Sequence, residues 1–176
     1  PVILGVGRLS PQKDFANLLL AFARVRAKRP ARLLILGEGA LRPDLEQLAD
    51  ELGISKDVQL PGFVDNPMAF MAKASLFVLS SQFEGLPTVL IEAIACGTNT
   101  VSTDCPSGPR EILEDGRLGG LVPVGDSEAL AHAIEQGLDN PVPADLLRAK
   151  AEEFAVERAV DRYLELLQPA AARSIA

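Results

Sequence analysis

The chain has 176 residues, of which 48% are apolar and 23% charged, as expected of one globular domain of about 50–250 residues. This composition excludes a disordered or fibrous chain, and the net charge of −7 lacks the basic surface that nucleic-acid binding requires. The two cysteines, Cys96 and Cys105, are too few for a disulfide framework and are typical of reduced thiols in a cytosolic protein.

Short apolar strands alternate with helical patterns along the whole chain. The sequence predicts strands at 2–6, 32–36, 58–60, 76–80, 100–103 and 120–123. Between and after them it predicts helices from Phe15 to before Pro30 and at 42–52, 67–73, 87–96, 109–114, 127–137, 144–154 and 156–167. This alternation indicates βαβ units, and hence a doubly wound, Rossmann-like α/β fold with a parallel sheet of about six strands and helices on both faces.

The chain opens directly on the first predicted strand, at Pro1, without an initiator Met. We therefore expect residue 1 to lie within a longer protein, and the 176 residues to form one domain of it. In such sheets, ligands bind beyond the carboxyl ends of the strands, where the strand order reverses. The loops that follow strands are therefore the candidate binding elements.

The loop after the first strand contains Gly5 and Gly7, which favour a nucleotide-binding turn of the dehydrogenase type. The match is poor, because Ser10 stands where the third glycine is expected. The acidic Glu38 also lies farther downstream than the spacing of about 20 residues found in that motif. A non-enzymatic nucleotide-binding module remains an alternative.

Two cations in the same loop point to a different ligand. Arg8 and Lys13 precede a helix N-terminus, where backbone N–H groups, the helix dipole and both positive charges can hold a diphosphate. Ion pairs with Asp14 or Glu38 explain the two cations equally well.

The loop after the fourth strand introduces two glutamates. Glu84 precedes the helix at 87–96, and Glu92 is the only charged residue between Glu84 and Asp104. A helix that is otherwise so apolar is expected to be buried nearly all round, and a carboxylate there needs a hydrogen-bonding partner. Sugar or ribose hydroxyls would supply one, as would a structural Arg or Lys. We favour the ligand.

Three short sequence motifs follow one another along the chain, one after each of the first, fourth and fifth predicted strands. They are Gly7-Arg8-Leu9-Ser10-x-x-Lys13, Glu84-x7-Glu92-Ala93-x-x-Cys96-Gly97, and Asp104-Cys105-Pro106-Ser107-Gly108-Pro109-Arg110-Glu111-Ile112 with Asp115-Gly116 and the strand at 120–123 behind it. Together they resemble the donor-binding half of retaining GT-B glycosyltransferases of family 4 over nearly the whole chain. Thr98-Asn99-Thr100 and Leu86-Pro87 depart mildly from the family pattern, and the second departure concerns the identity of the donor sugar.

The resemblance implies a role for each loop. Arg8 and Lys13 would grip the donor diphosphate and neutralise the leaving nucleotide, Glu84 would face the sugar hydroxyls, and Glu92 would accept both ribose hydroxyls. The remaining donor contacts would come from backbone in Gly7, in Phe63 and Val64 at the base, and in Gly85, Leu86, Pro87 and Thr88 at the sugar and phosphate.

No Asp-x-Asp sequence and no cluster with metal-ligand spacing occurs. We therefore expect no metal and no cofactor, with the nucleotide-diphosphate sugar as substrate. The chain lacks an evident acceptor site, and the resemblance implies that a separate N-terminal domain supplies it. A GT-B-type sugar-nucleotide epimerase, which needs no acceptor, is the second alternative.

The wider setting follows from the same resemblance. The Cys-Pro-Ser-Gly-Pro run at 105–109 and the non-basic surface also suggest a bacterial protein. We therefore expect a bacterial hexosyltransferase of surface polysaccharide or lipopolysaccharide synthesis, cytoplasmic and peripheral at the membrane face, whose isolated donor half binds but does not transfer. Arg110 is a lesser candidate for a phosphate contact, and His132 is expected to be structural. The last helix carries Val160, Tyr163, Leu164 and Leu167 on one face. This face either packs on the sheet of its own domain or is left uncovered by it, exposed or paired with another copy of the chain.

Overall fold

The computed structural model describes residues 1–167. Six parallel strands form one sheet in the order β3-β2-β1-β4-β5-β6. The strands are β1 Val2–Val6, β2 Arg32–Leu36, β3 Val58–Gly62, β4 Leu76–Leu79, β5 Thr100–Thr103 and β6 Gly120–Val122. The helices are α1 Phe15–Lys28, α2 Arg42–Glu51, α3 Pro67–Met71, α4 Thr88–Ala95, α5 Pro109–Ile112, α6 Ser127–Asp139, α7 Ala144–Ala151 and α8 Val156–Leu167.

The predicted doubly wound sheet is confirmed, and the differences lie at element ends. Strand β3 continues to Gly62, beyond the predicted end at position 60. Helix α7 ends at Ala151, before the predicted end at 154, and a 3-10 turn occupies Glu152–Phe154. Helix ends fray and tighten into such turns because the last carbonyl groups have no partner further along the helix.

Two apolar layers cover the two faces of the sheet. Ile3 and Leu4 are adjacent in β1 and both fully buried, yet they belong to different layers, because successive strand residues point to opposite faces. One layer includes Phe22 of α1, and the other includes Leu90 of α4. The strands are therefore buried on both sides, which explains their continuous apolar sequences.

The last helix stands apart from these layers. Val160, Tyr163, Leu164 and Leu167 are all exposed on α8, and the neighbour of this helix is the 3-10 turn Glu152–Phe154. Of the two predicted alternatives for its apolar face, the structure shows the exposed one. None of the helices within residues 1–167 is long and apolar enough to cross a membrane.

The strand order determines where a ligand can bind. The chain passes from β1 outward to β2 and β3, and then returns to the other side of β1 with β4. The connections after β1 and β4 therefore leave the sheet in opposite directions, which opens a crevice beyond their carboxyl ends. Both glutamates and both cations of the predicted site lie on these two connections or on the helix that follows β4.

Candidate functional site

The loops after β1 and β4 are hydrogen-bonded to each other across the crevice. The backbone N–H of Gln82 donates to the carbonyl of Gln12 at 2.8 Å, and the Gln12 side-chain amide donates to the carbonyl of Phe83 at 3.0 Å. The Ser80 hydroxyl donates to the carbonyl of Lys13 at 2.7 Å. These bonds hold the two loops at a defined separation although they are about 70 positions apart in the chain.

An ion pair joins the two loops at the centre of the crevice. Lys13 Nζ lies 2.6 Å from Glu84 Oε1, and the two side chains are only 17% and 8% exposed. The Ser81 hydroxyl donates to the same carboxylate oxygen at 2.6 Å. The expected alternative partners of the cations are wrong, because Asp14 caps α1 and Glu38 pairs with another arginine.

The loop after β5 supports Glu84 from the other side. The Glu84 N–H donates to the carbonyl of Pro106, and the Glu84 carbonyl accepts from the N–H of Ser107, both at 2.7 Å. The Ser107 hydroxyl donates to the carbonyl of Gly85 at 3.1 Å. Sequence reasoning did not identify this brace, although Ser107 stands within a matching segment.

The contact between the loops after β4 and β5 requires glycine at position 108. Its φ is +97°, and a Cβ there would lie 2.6 Å from Pro87 Cδ and 2.9 Å from the carbonyl oxygen of Gly85. A side chain would meet both the steric limit of this backbone region and the neighbouring loop. The loops after β4 and β5 therefore pack backbone to backbone beside Glu84.

Arg8 differs from Lys13 because its side chain has no partner among residues 1–167. It is exposed and forms no ion pair with any residue that the structure describes. It lines a cavity of about 380 Å³ beyond the ends of β1, β2 and β3, together with Gly7, Leu36, Gly37, Glu38, Phe63, Val64, Pro67 and Val6. The structure thus brings Gly7 and Arg8, from the predicted diphosphate loop, to the same cavity as Phe63 and Val64, which were predicted to contact the base.

Glu38 lies on the same cavity and was not predicted as a site residue. Arg42 Nη2 lies 2.7 Å from Glu38 Oε1, and Arg42 Nε lies 3.0 Å from Oε2. The hydrogen bonds from Arg42 hold the pKa of Glu38 below its usual range. Its position between Gly37 and Gly39, directly after β2, is the sequence signal that could have identified it.

Glu92 lies on α4 in a setting that differs from the prediction. Leu90, Ala93 and Ile94 are buried, but Thr88 is exposed and Glu92 is only half-buried. The expectation of a helix buried nearly all round is therefore wrong, because the sheet and helices α3, α5 and α7, which contact α4, leave Thr88 and part of Glu92 accessible to solvent. The apolar composition of a helix does not show which of its faces is buried, because burial depends on the elements that pack against each face.

The Glu92 carboxylate has no hydrogen bond or ion pair within the described part of the chain. The alternative of a structural Arg or Lys partner is therefore wrong, and the ribose role stays a prediction. Glu92 lies one turn after Thr88, so the two residues share a face of α4. That face begins at the end of the helix where Pro87 and Thr88 meet the crevice.

The lesser candidates have structural surroundings. Arg110 forms ion pairs with Asp104 and Asp115, and His132 is exposed on α6. Burial raises the pKa of the Cys105 thiol, which favours the neutral, unreactive form. Within residues 1–167 no group of three or more His, Cys, Asp or Glu side chains could hold a metal ion.

Comparison with known proteins gives a consistent result. The chain is 43% identical to an N-acetylgalactosaminyltransferase of Campylobacter jejuni that acts on a diphospho-undecaprenol-linked sugar, over 89% of this chain and 41% of that protein. It is 38% identical to the lipopolysaccharide core biosynthesis glycosyltransferase LpsE of Rhizobium meliloti, over 95% of this chain and 49% of that protein. The chain thus spans about half the length of these relatives.

Among solved structures, HepE of Anabaena in complex with UDP and glucose superposes with a TM-score of 0.83 at 25% identity, over 94% of this chain and 48% of that one. The sequence model of the family described as glycosyl transferases group 1 matches residues 1–158. This match includes every strand of the sheet and both loops of the crevice. The chain belongs to the glycosyl transferases group 1 family.

Proposed function

We propose that this chain is the donor-binding half of a retaining glycosyltransferase that moves a sugar from a nucleoside-diphosphate sugar to an acceptor hydroxyl. The observation that carries this proposal is that the loops after β1 and β4 meet at the switch point of the sheet, where Lys13 pairs with Glu84. Arg8, on the same loop as Lys13, has no ion pair with any residue from 1 to 167. The complex of the related HepE with UDP and glucose supports the same ligand class.

Charge determines where the diphosphate binds. The chain as a whole is acidic and repels an anion, so only a local cluster of cations can attract one. Arg8 and Lys13 lie on one loop and, as the donor binds, would contact the diphosphate and stabilise the negative charge that develops on the leaving nucleotide. We propose that these protein cations act without a metal ion or another cofactor.

Glu84 and Glu92 are proposed to contact hydroxyl groups. Glu84 Oε1 already accepts from Lys13 and Ser81, whereas Oε2 has no hydrogen bond among residues 1–167 and can accept from a sugar hydroxyl. Glu92 would accept from both ribose hydroxyls, since a carboxylate matches a vicinal diol. The base would occupy the 380 Å³ cavity beside Phe63 and Val64.

The acceptor and the cellular setting follow from the relatives. We propose that an N-terminal domain supplies the acceptor site across the crevice, since the relatives are about twice as long as the match. The acceptor would be a growing bacterial surface polysaccharide or lipopolysaccharide, and the enzyme a cytoplasmic protein that is peripheral at the membrane. The donor half alone would bind the nucleotide sugar without transferring it.

Isothermal titration calorimetry of the chain with UDP, UDP-glucose, UDP-galactose, UDP-N-acetylglucosamine, GDP-mannose, ADP-glucose and NAD tests the proposal. We expect one nucleoside-diphosphate sugar to bind, and Arg8→Ala to weaken its binding about tenfold by removing a charge-assisted contact. Arg24→Ala is the matched control, because Arg24 is exposed on α1, away from the crevice. Binding of NAD alone, or an unchanged affinity in Arg8→Ala, would contradict the proposal.

A further inference from the structure

Four side-chain hydroxyl groups are buried at the carboxyl ends of the neighbouring strands β4 and β5, beside the crevice. Ser80, Ser81, Ser102 and Thr103 are each no more than 1% exposed. Buried parallel strands normally end in apolar residues, and a buried hydroxyl is unfavourable unless it is hydrogen-bonded. Each of the four hydroxyl groups therefore needs a hydrogen-bond acceptor, and the identity of that acceptor indicates the role of the residue.

Three of these hydroxyls donate to backbone. Ser80 donates to the carbonyl of Lys13 at 2.7 Å, and Ser102 donates to the carbonyl of Thr103 at 2.8 Å. Thr103 donates to the carbonyl of Ser81 at 2.6 Å. These bonds satisfy the polar groups of the strand ends and orient the backbone at positions 13 and 81.

Ser81 is different, because its hydroxyl donates to a side chain of the proposed site. The acceptor is Glu84 Oε1 at 2.6 Å, the same oxygen that accepts from Lys13 Nζ. The hydroxyl itself is held in place, since the carbonyl of Ser81 is fixed by Thr103. Oε1 of Glu84 thus accepts two hydrogen bonds, whereas Oε2 accepts none from residues 1–167.

We propose that Ser81 is a positioning residue that keeps the Glu84 carboxylate aimed at the donor sugar while Lys13 turns to the diphosphate. This proposal rests on the proposed function. The donor diphosphate carries more charge than Glu84 and competes for the Lys13 ammonium. The Ser81 hydroxyl is neutral and buried, so it stays with Oε1 and preserves the orientation of Oε2 toward the sugar.

The test compares the affinity for a nucleotide with that for the same nucleotide carrying its sugar. Ser81→Ala removes one hydrogen bond to a carboxylate, so we expect about tenfold weaker binding of whichever nucleoside-diphosphate sugar of the calorimetry panel the wild-type chain binds. Binding of the corresponding nucleoside diphosphate, which has no transferable sugar to contact Glu84, is expected to change less than about twofold. Ser102→Ala is the matched control, because its hydroxyl is equally buried and donates only to its neighbour.

The outcomes separate this proposal from the proposed function. If the wild-type chain binds no nucleoside-diphosphate sugar, the proposed function itself fails before any variant is measured. If the wild type binds and Ser81→Ala loses affinity equally for the nucleotide sugar and for the nucleoside diphosphate alone, or behaves like Ser102→Ala, the positioning role is refuted. Should Ser81→Ala not fold, Ser81→Cys keeps the size with a weaker donor and is expected to show the same selective loss, reduced in size.

Discussion

The ion pair between Lys13 and Glu84 can be measured by a double-mutant cycle with Lys13→Met and Glu84→Gln. The pair is short, at 2.6 Å, and mostly shielded from solvent. Its Coulomb attraction at an effective dielectric constant of 20 is about 6 kcal/mol, and the cost of removing both charges from water offsets most of this. We expect a net coupling free energy of about 2 kcal/mol.

The single substitutions should each cost more than the coupling alone. Glu84→Gln leaves an unpaired ammonium in the crevice, and Lys13→Met leaves a carboxylate with Ser81 as its one side-chain donor. Each is expected to lower the free energy of unfolding by about 2.5 kcal/mol, and the double variant by about 3 kcal/mol. Urea denaturation provides these values from the midpoint and the slope of each transition.

The same cycle is then repeated with UDP at a concentration that saturates all four proteins. We expect the coupling to fall below about 1 kcal/mol, because the diphosphate takes the Lys13 ammonium from Glu84. The control cycle uses Arg26 and Asp57, whose ion pair of 2.7 Å lies away from the crevice and should be unaffected by UDP. Additive single variants, or a coupling that UDP leaves unchanged, would refute the reasoning.

Three further measurements address other residues. Glu92→Gln should change the free energy of unfolding by less than about 0.5 kcal/mol, since the carboxylate has no partner within residues 1–167, and should weaken UDP binding several-fold in calorimetry. Gly108→Ala should cost about 2 kcal/mol or more in urea denaturation, because its Cβ would overlap the adjoining loop, whereas Gly53→Ala, with a positive φ but open space, should cost about 1 kcal/mol. The pKa of Glu38 is held low by Arg42, so its stabilising effect is present above pH 4.5 and is lost as the pH falls through the lowered pKa. Thermal unfolding between pH 6 and pH 3 should therefore show a smaller acid-induced loss in Arg42→Gln than in wild type.

The order of elements was predictable because local signals specify it. Each of these signals depends only on residues that are close together in the sequence. They are the apolar strands, the helical periodicity and the Pro and Gly residues at element boundaries. Strand β2 and helix α8 have the predicted bounds. The parallel sheet then follows from the alternation of strands and helices, since a βαβ connection leaves few other topologies.

The partners within the crevice were not predictable in the same way. Lys13 and Glu84 are 71 positions apart, and sequence proximity favoured Asp14 or Glu38 as partners instead. The choice is made by the sheet order, which places β4 beside β1 and brings the two following loops together. Asp14 is occupied as a helix cap and Glu38 by Arg42, so the nearer carboxylates were already engaged.

The two glutamates of the Glu84-x7-Glu92 pattern show why spacing alone cannot assign roles. Glu84 is 8% exposed and receives two side-chain hydrogen bonds, because its loop is clamped between the loops after β1 and β5. Glu92 is half-buried, and its carboxylate has no hydrogen bond or ion pair in the described chain, because it lies on a part of α4 that the sheet and the neighbouring helices do not fully cover. A substitution at Glu84 is therefore expected to disturb both the fold and the proposed ligand contact, whereas one at Glu92 is expected to disturb its proposed ligand contact alone. This asymmetry makes Glu92 the position where binding can be tested without a stability correction, and Glu84 the position where stability and binding must be measured together.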